Sequence, residues 1–245
     1  MGQLFKLTAI IALLLFTACS LTDVPPNELI ERQGLKYRVD SEVPFTGSSE
    51  DYYDNGQVEF KRNYKDGKQD GLLESYYKNG QLESKGSYKD GKQYGLYYFY
   101  DDIGQLWFKE NYKDGKQNGL QESYYKNGGV EFRENNKDGK KHESVESYYK
   151  NGQLQHKDNY KDDTRNGRGE SYYSDGQLLF EGKYKDGEVD GLQIFYHRNG
   201  QLMSTENYTA DERDGLSESY DEDGQLEEKL CFKSNKTIDM SYCER

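Results

Sequence analysis

An all-β fold is predicted for this sequence: an elongated, twisted antiparallel meander of tandem β-hairpins. Three observations predict it: a strict 24-residue period, a turn signal of the Asn79-Gly80 type inside the unit, and apolar columns alternating around that turn. The period is read from one glycine column, Gly56, Gly80, Gly104, Gly128, Gly152, Gly176, Gly200 and Gly224, which steps by 24 residues without an insertion. Self-similarity of this kind marks stacked supersecondary units, each burying its apolar side against its neighbours.

Composition fits such an array better than a thick globule. The chain has 245 residues, 33% hydrophobic and 32% charged, with 24 tyrosines and 26 glycines. So few aliphatic side chains cannot fill a deep core, whereas a repeat needs only a thin one. The net charge of -12 argues against nucleic acid, whose phosphates require lysine and arginine. It also argues against adsorption of the repeats to anionic lipid.

Residues 1–18 read as a signal peptide with an N-terminal signal helix. Lys6 precedes Leu7–Phe16, a run apolar apart from Thr8 and too short to span a bilayer. Leu15-Phe16-Thr17-Ala18-Cys19 resembles the lipobox of bacterial lipoproteins. That resemblance implies a lipid on Cys19 and an anchor by hydrocarbon burial in the cell envelope. Ser20 after the cysteine implies the outer membrane in a double-membraned bacterium. An ordinary signal peptide with an incidental cysteine is the alternative. Residues 19–30, with Pro25-Pro26, read as a tether. Residues 31–47 read as a capping strand, with Leu35, Tyr37 and Val39 alternating before a turn at Pro44-Phe45-Thr46-Gly47.

Eight repeats are expected over 48–234. In one unit, strand candidates Leu72–Tyr77 and Gln81–Tyr88 flank Asn79-Gly80, and Lys89–Lys92 turns toward the next copy. The apolar columns through Leu72, Tyr76, Leu82 and Tyr88 are all even-numbered. A three-residue loop with Gly80 left-handed pairs Tyr76 with Leu82, and is expected to set every apolar column on one face. Tyr76, Tyr100, Tyr124, Tyr148, Tyr172 and Tyr196 are then the candidate binding face, since tyrosine offers a broad ring with a polar tip. The fourth and fifth units diverge, at Asn136, His142-Glu143, Asp163 and Arg168, which reads as drift, or as a kink or partner-contact zone. Residues 235–245 form a C-terminal cap, where Cys231 and Cys243 can close a disulfide in an exported chain.

No set of unlike catalytic groups converges in this pattern. His142, His156 and His197 lack the spacing of a triad or metal site. The column Glu74, Glu122, Glu146, Glu170 and Glu218 suits bonds to tyrosine hydroxyls or lysines. No enzyme activity, metal or cofactor is expected. Tyr-Tyr-x-Asn-Gly-Gln-Leu followed by Tyr-Lys-Asp-Gly-Lys-x-x-Gly resembles the MORN-repeat variant of many bacterial proteins, over about Glu31 to Phe232. The resemblance implies a binding or scaffold module whose partner is a protein, peptide or glycan. Because bacterial members are often labelled antitoxin-like, it also implies a possible partner of an exported toxin. A structural envelope spacer is the third reading.

Overall fold

The computed structural model of the protein describes residues 23–244. The predicted signal helix and Cys19 lie outside the described residues. From Gly47 to Ile238 the strands follow one another in a single antiparallel sheet of 18 strands, each hairpin pairing with the next.

The hairpin loop sets the register. Tyr77 N–H donates to the Gln81 carbonyl and Gly80 N–H to the Tyr77 carbonyl, both at 2.8 Å. Gly80 has φ +84°, the left-handed region that favours glycine, so three residues close the loop. Tyr76 therefore pairs with Leu82, and the same pairing recurs in all eight copies, from Tyr52 with Val58 to Tyr220 with Leu226.

One expectation is overturned: the apolar columns do not share a face. Beyond Tyr76–Leu82 the next pair is Ser75–Ser84, which leaves Glu83 as an extra residue. An extra residue inverts the alternation. Leu72, Glu74, Tyr76 and Leu82 thus lie on one face with Lys85, while Tyr88 pairs with Gly71 and lies on the other with Leu73, Ser75 and Gly86. These are called the Tyr76 face and the Tyr88 face.

A second irregularity lies at the start of each unit. Arg62 pairs with Leu73 and Tyr64 with Gln69, so three residues bulge opposite Asn63. Gly71, at φ +108°, sits in that bulge, and Glu143 occupies the equivalent position in the fifth copy at φ +68°. Between copies, Asp90-Gly91 forms a two-residue turn with both φ positive, +51° and +80°.

Most of the buried polar and aromatic side chains lie on the Tyr88 face. Tyr97 is only 3% exposed and donates its hydroxyl to the Ser87 carbonyl at 2.8 Å. Its ring meets those of Tyr88 and Tyr112 edge-on, at 6.2 and 5.1 Å.

At the N-terminal end a hairpin replaces the single capping strand expected over 31–47. Leu29–Arg32 and Leu35–Arg38 pair across Gln33-Gly34, both at positive φ. This hairpin and Phe45 clamp the first Asp66-Gly67 turn: Lys36 N–H donates to the Gly67 carbonyl and Gly67 N–H to the Phe45 carbonyl, both at 2.8 Å. At the other end Lys236–Ile238 adds a short strand beside Cys231–Lys233. A disulfide joins buried Cys231 to Cys243, with Cα atoms 6.0 Å apart.

Candidate functional site

The tyrosines singled out on the Tyr76 face are half-buried, and the sheet itself engages most of their polar tips. Tyr76 donates to Glu74 at 2.9 Å, Tyr124 to Glu122 at 2.9 Å, Tyr148 to Glu146 at 2.7 Å and Tyr172 to Glu170 at 3.1 Å. In the seventh copy Ile194 replaces the glutamate, and Tyr196 reaches Glu181 instead at 2.9 Å. Cations complete the network. Lys157 pairs with Glu146 at 2.9 Å, and Glu122 holds both Lys109 and Arg133. Burial pushes the Glu122 carboxyl up, but its bonds to Lys109, Arg133 and Tyr124 outweigh that and hold it below the usual carboxylate range.

What this face leaves to solvent is leucine. Leu72, Leu96, Leu120 and Leu192, which open their units, are each between 37% and 48% exposed. Apart from the N-terminal hairpin, all described strands belong to the one sheet.

A second column, one residue beyond the first, stitches successive hairpins. Tyr53 donates its hydroxyl to the Tyr76 carbonyl and Tyr77 to the Tyr100 carbonyl, both at 2.8 Å. Tyr125, Tyr149 and Tyr173 do the same to Tyr148, Tyr172 and Tyr196, and His197 Nε2 lies 2.8 Å from the Tyr220 carbonyl. The third copy breaks the series. Asp101 replaces the tyrosine and turns inward, its Oδ1 accepting from the backbone N–H of Gln105 at 2.8 Å. The absent ring leaves a groove of about 610 Å³ lined by Tyr77, Asp101, Asp102, Trp107, Tyr125 and Lys126, among others. It adjoins a second groove of about 500 Å³ running past Tyr124 to Lys150. Trp107, the chain's one tryptophan, is 48% exposed at its wall. Ile103, where most copies have asparagine or aspartate, is 75% exposed.

The groove was not singled out from the sequence, yet a signal was present. Reading the Tyr77 column at the 24-residue step gives Tyr53, Tyr77, Asp101, Tyr125, Tyr149, Tyr173, His197 and Asp221, and Asp101, the departure inside the run of tyrosines, marks the gap. In the divergent zone Glu143 takes a bulge position and Asp163 a turn position at positive φ, while Asn136 and Arg168 lie within strands.

The histidines do not converge. His156 bonds Ser171 Oγ at 2.8 Å, His197 caps the tyrosine series, and His142 Nδ1 lies 3.9 Å from Asp162. Among the described residues no group of three or more histidine, cysteine or acidic side chains is placed to hold a metal ion, and no helix is long and apolar enough to cross a membrane.

The MORN repeat variant profile matches residues 45–66, 69–90, 144–162, 165–186, 189–210 and 213–234, together just over half of the chain. The chain belongs to the MORN repeat variant family. Its array holds eight hairpins against those six matches, and the interval 91–143 between the second and third matches contains Asp101, Ile103 and Trp107. No curated protein matches the sequence. Among solved structures, the MORN array is similar at 13% identity and a TM-score of 0.20 to a GtfA/B complex bound to UDP and GlcNAc, covering 55% of this chain and 26% of that one. A TcdB2-TccC3-Cdc42 structure aligns at 11% identity and a TM-score of 0.22, covering 85% of this chain and 14% of that one. The chain therefore spans a small part of either.

Proposed function

We propose that this MORN array is a non-catalytic binding and scaffold module, displayed at the cell envelope through a lipid on Cys19. One observation carries the reading. Leu72, Leu96 and Leu120 open three consecutive hairpins on the same face and remain substantially exposed. A repeated apolar row on a soluble surface is a feature of interaction sites. Its neighbours, Glu74 and Glu122 with their tyrosines, form a polar rim already satisfied within the sheet.

Crosslinking in intact envelopes, followed by capture of the array, tests this. A protein held by the native chain and lost from the triple variant Leu72→Ser/Leu96→Ser/Leu120→Ser supports the module. Cys19→Ser should release the array from the membrane fraction while leaving its folded repeats able to bind. An array that crosslinks to nothing above background, in either form, supports the spacer role instead. An exported toxin as the captured species supports the antitoxin-like role.

A further inference from the structure

In the tyrosine column that stitches the hairpins, the following copy can supply a cation to the ring. Lys78 Nζ sits 5.5 Å from the centre of the Tyr53 ring, and the Arg198 guanidinium sits 4.8 Å from that of Tyr173. Both cations lie 25 residues beyond their tyrosine. The residue at the same place beyond Tyr77 is Asp102, so a carboxylate stands where these two copies hold a cation. Asp101, next to it, is the residue that removes the ring and opens the groove. Burial first, and then the negative charges of Glu83, Asp102 and Asp101, hold the Tyr77 phenol above its ordinary range.

We infer that this groove binds a basic peptide, with a lysine or arginine side chain entering between Tyr77 and Trp107 toward Asp101 and Asp102. The inference rests on the reading of the array as a binding module and names the partner chemistry of one site on it. An aromatic face beside carboxylates attracts an organic cation through both the ring quadrupole and net charge. The protein supplies its own cation at Tyr53 and Tyr173 and withholds it at Tyr77. Lys126 also lines the groove, so the favourable place for a cation is beside Asp101 and Asp102. The space far exceeds one inorganic ion and continues past Tyr124 to Lys150, which suits an extended chain crossing successive loops. Exposed Ile103 and Trp107 offer contact to the apolar residues flanking the basic one. The net charge of -12 favours encounter with a basic partner over an acidic one.

Trp107 reports on the site directly, because it is the only tryptophan. The array is titrated with a peptide of alternating lysine and leucine, with its glutamate counterpart, and with phosphatidylcholine vesicles. The lysine peptide is expected to shift Trp107 emission saturably, and to bind more weakly as salt rises. Asp102→Lys restores the internal cation seen at Lys78 and should weaken binding at least tenfold. Asp101→Tyr refills the gap and should do the same without lowering the thermal midpoint. Asp101→Asn/Asp102→Asn removes the charge at constant size and should weaken binding even if the bulkier variants misfold. Unchanged binding in the asparagine variant, equal binding of the glutamate peptide, or equal response to the vesicles would overturn the proposal. Loss of peptide binding in these variants with the leucine-dependent capture intact keeps the two sites separate. Failure of that capture with peptide binding intact overturns the leucine face alone.

Discussion

Gly86→Ala probes how the thin core is packed. Gly86 has ordinary φ, so the substitution meets no backbone strain; the obstacle is Tyr97. A Cβ on Gly86 would sit 2.2 Å from Tyr97 Cε1, well inside contact distance. Two responses are open to the sheet. If Tyr97 stays, the overpacked pair costs about 1–3 kcal/mol in shifted backbone and rotamer. If Tyr97 swings out, it forfeits its bond to the Ser87 carbonyl, worth about 1 kcal/mol. It also loses its edge contacts with Tyr88 and Tyr112, worth about 0.5–1.5 kcal/mol each. The first route costs about 1–3 kcal/mol and the second about 2–4, so the cheaper one sets an expected loss of about 1–3 kcal/mol, read as a lower urea midpoint for the transition followed by Trp107 emission. The decisive control is Gly86→Ala in a Tyr97→Ser background, serine being the residue at the same place in the last copy, Ser217. There the alanine should be neutral or stabilising by up to about 1 kcal/mol, because it reduces unfolded-chain freedom. An equal loss in both backgrounds would refute the steric argument.

Three further outcomes are expected. Glu143→Gly should stabilise the fifth hairpin by about 0.5–1 kcal/mol, since it removes a left-handed side-chain conformation at somewhat smaller entropic cost; urea midpoints measure it. Glu122→Gln should lower the midpoint at neutral pH and matter less near pH 3. The carboxyl of Glu122 lies below its usual 4.5 in the folded state, so its stabilisation is present above that value and fades as pH falls through the lower folded one. Reducing Cys231–Cys243, a bridge across a sequence separation of 12, should cost about 3 kcal/mol and free the last strand, seen as faster amide exchange over 236–238.

The sequence was most informative where one residue type recurs for one conformational reason. Gly80 requires the left-handed loop, and that fixes Tyr76 opposite Leu82. Parity then misled. Counting even-numbered positions assumes unbroken alternation, and Glu83, an ordinary polar residue with no conformational signature, breaks it. The Gly71 column carries a visible signal, a second glycine at the same step, and a bulge at positive φ is what that glycine serves. Gln33-Gly34 was likewise a legible turn that became part of a predicted strand. The groove was written in the sequence as a missing tyrosine, and needed the Tyr77–Tyr100 bond to give that absence meaning.

The same absence has a mechanical corollary. Neighbouring hairpins early in the array are fastened by a tyrosine hydroxyl and a loop asparagine, such as Tyr77 to Tyr100 and Asn79 to Asp102. The third and fourth hairpins keep one such fastening, Gln105 to Lys126 at 2.7 Å. The strand of the fourth hairpin that pairs with the third is also split at Asn118 into Lys116–Gln117 and Gly119–Tyr124. With about 0.5–1.5 kcal/mol less opposing shear there, a chain pulled by its ends should part first between Asp101 and Tyr124. The ribbon would yield as a block of three hairpins and a block of five, with the peptide groove at the fracture.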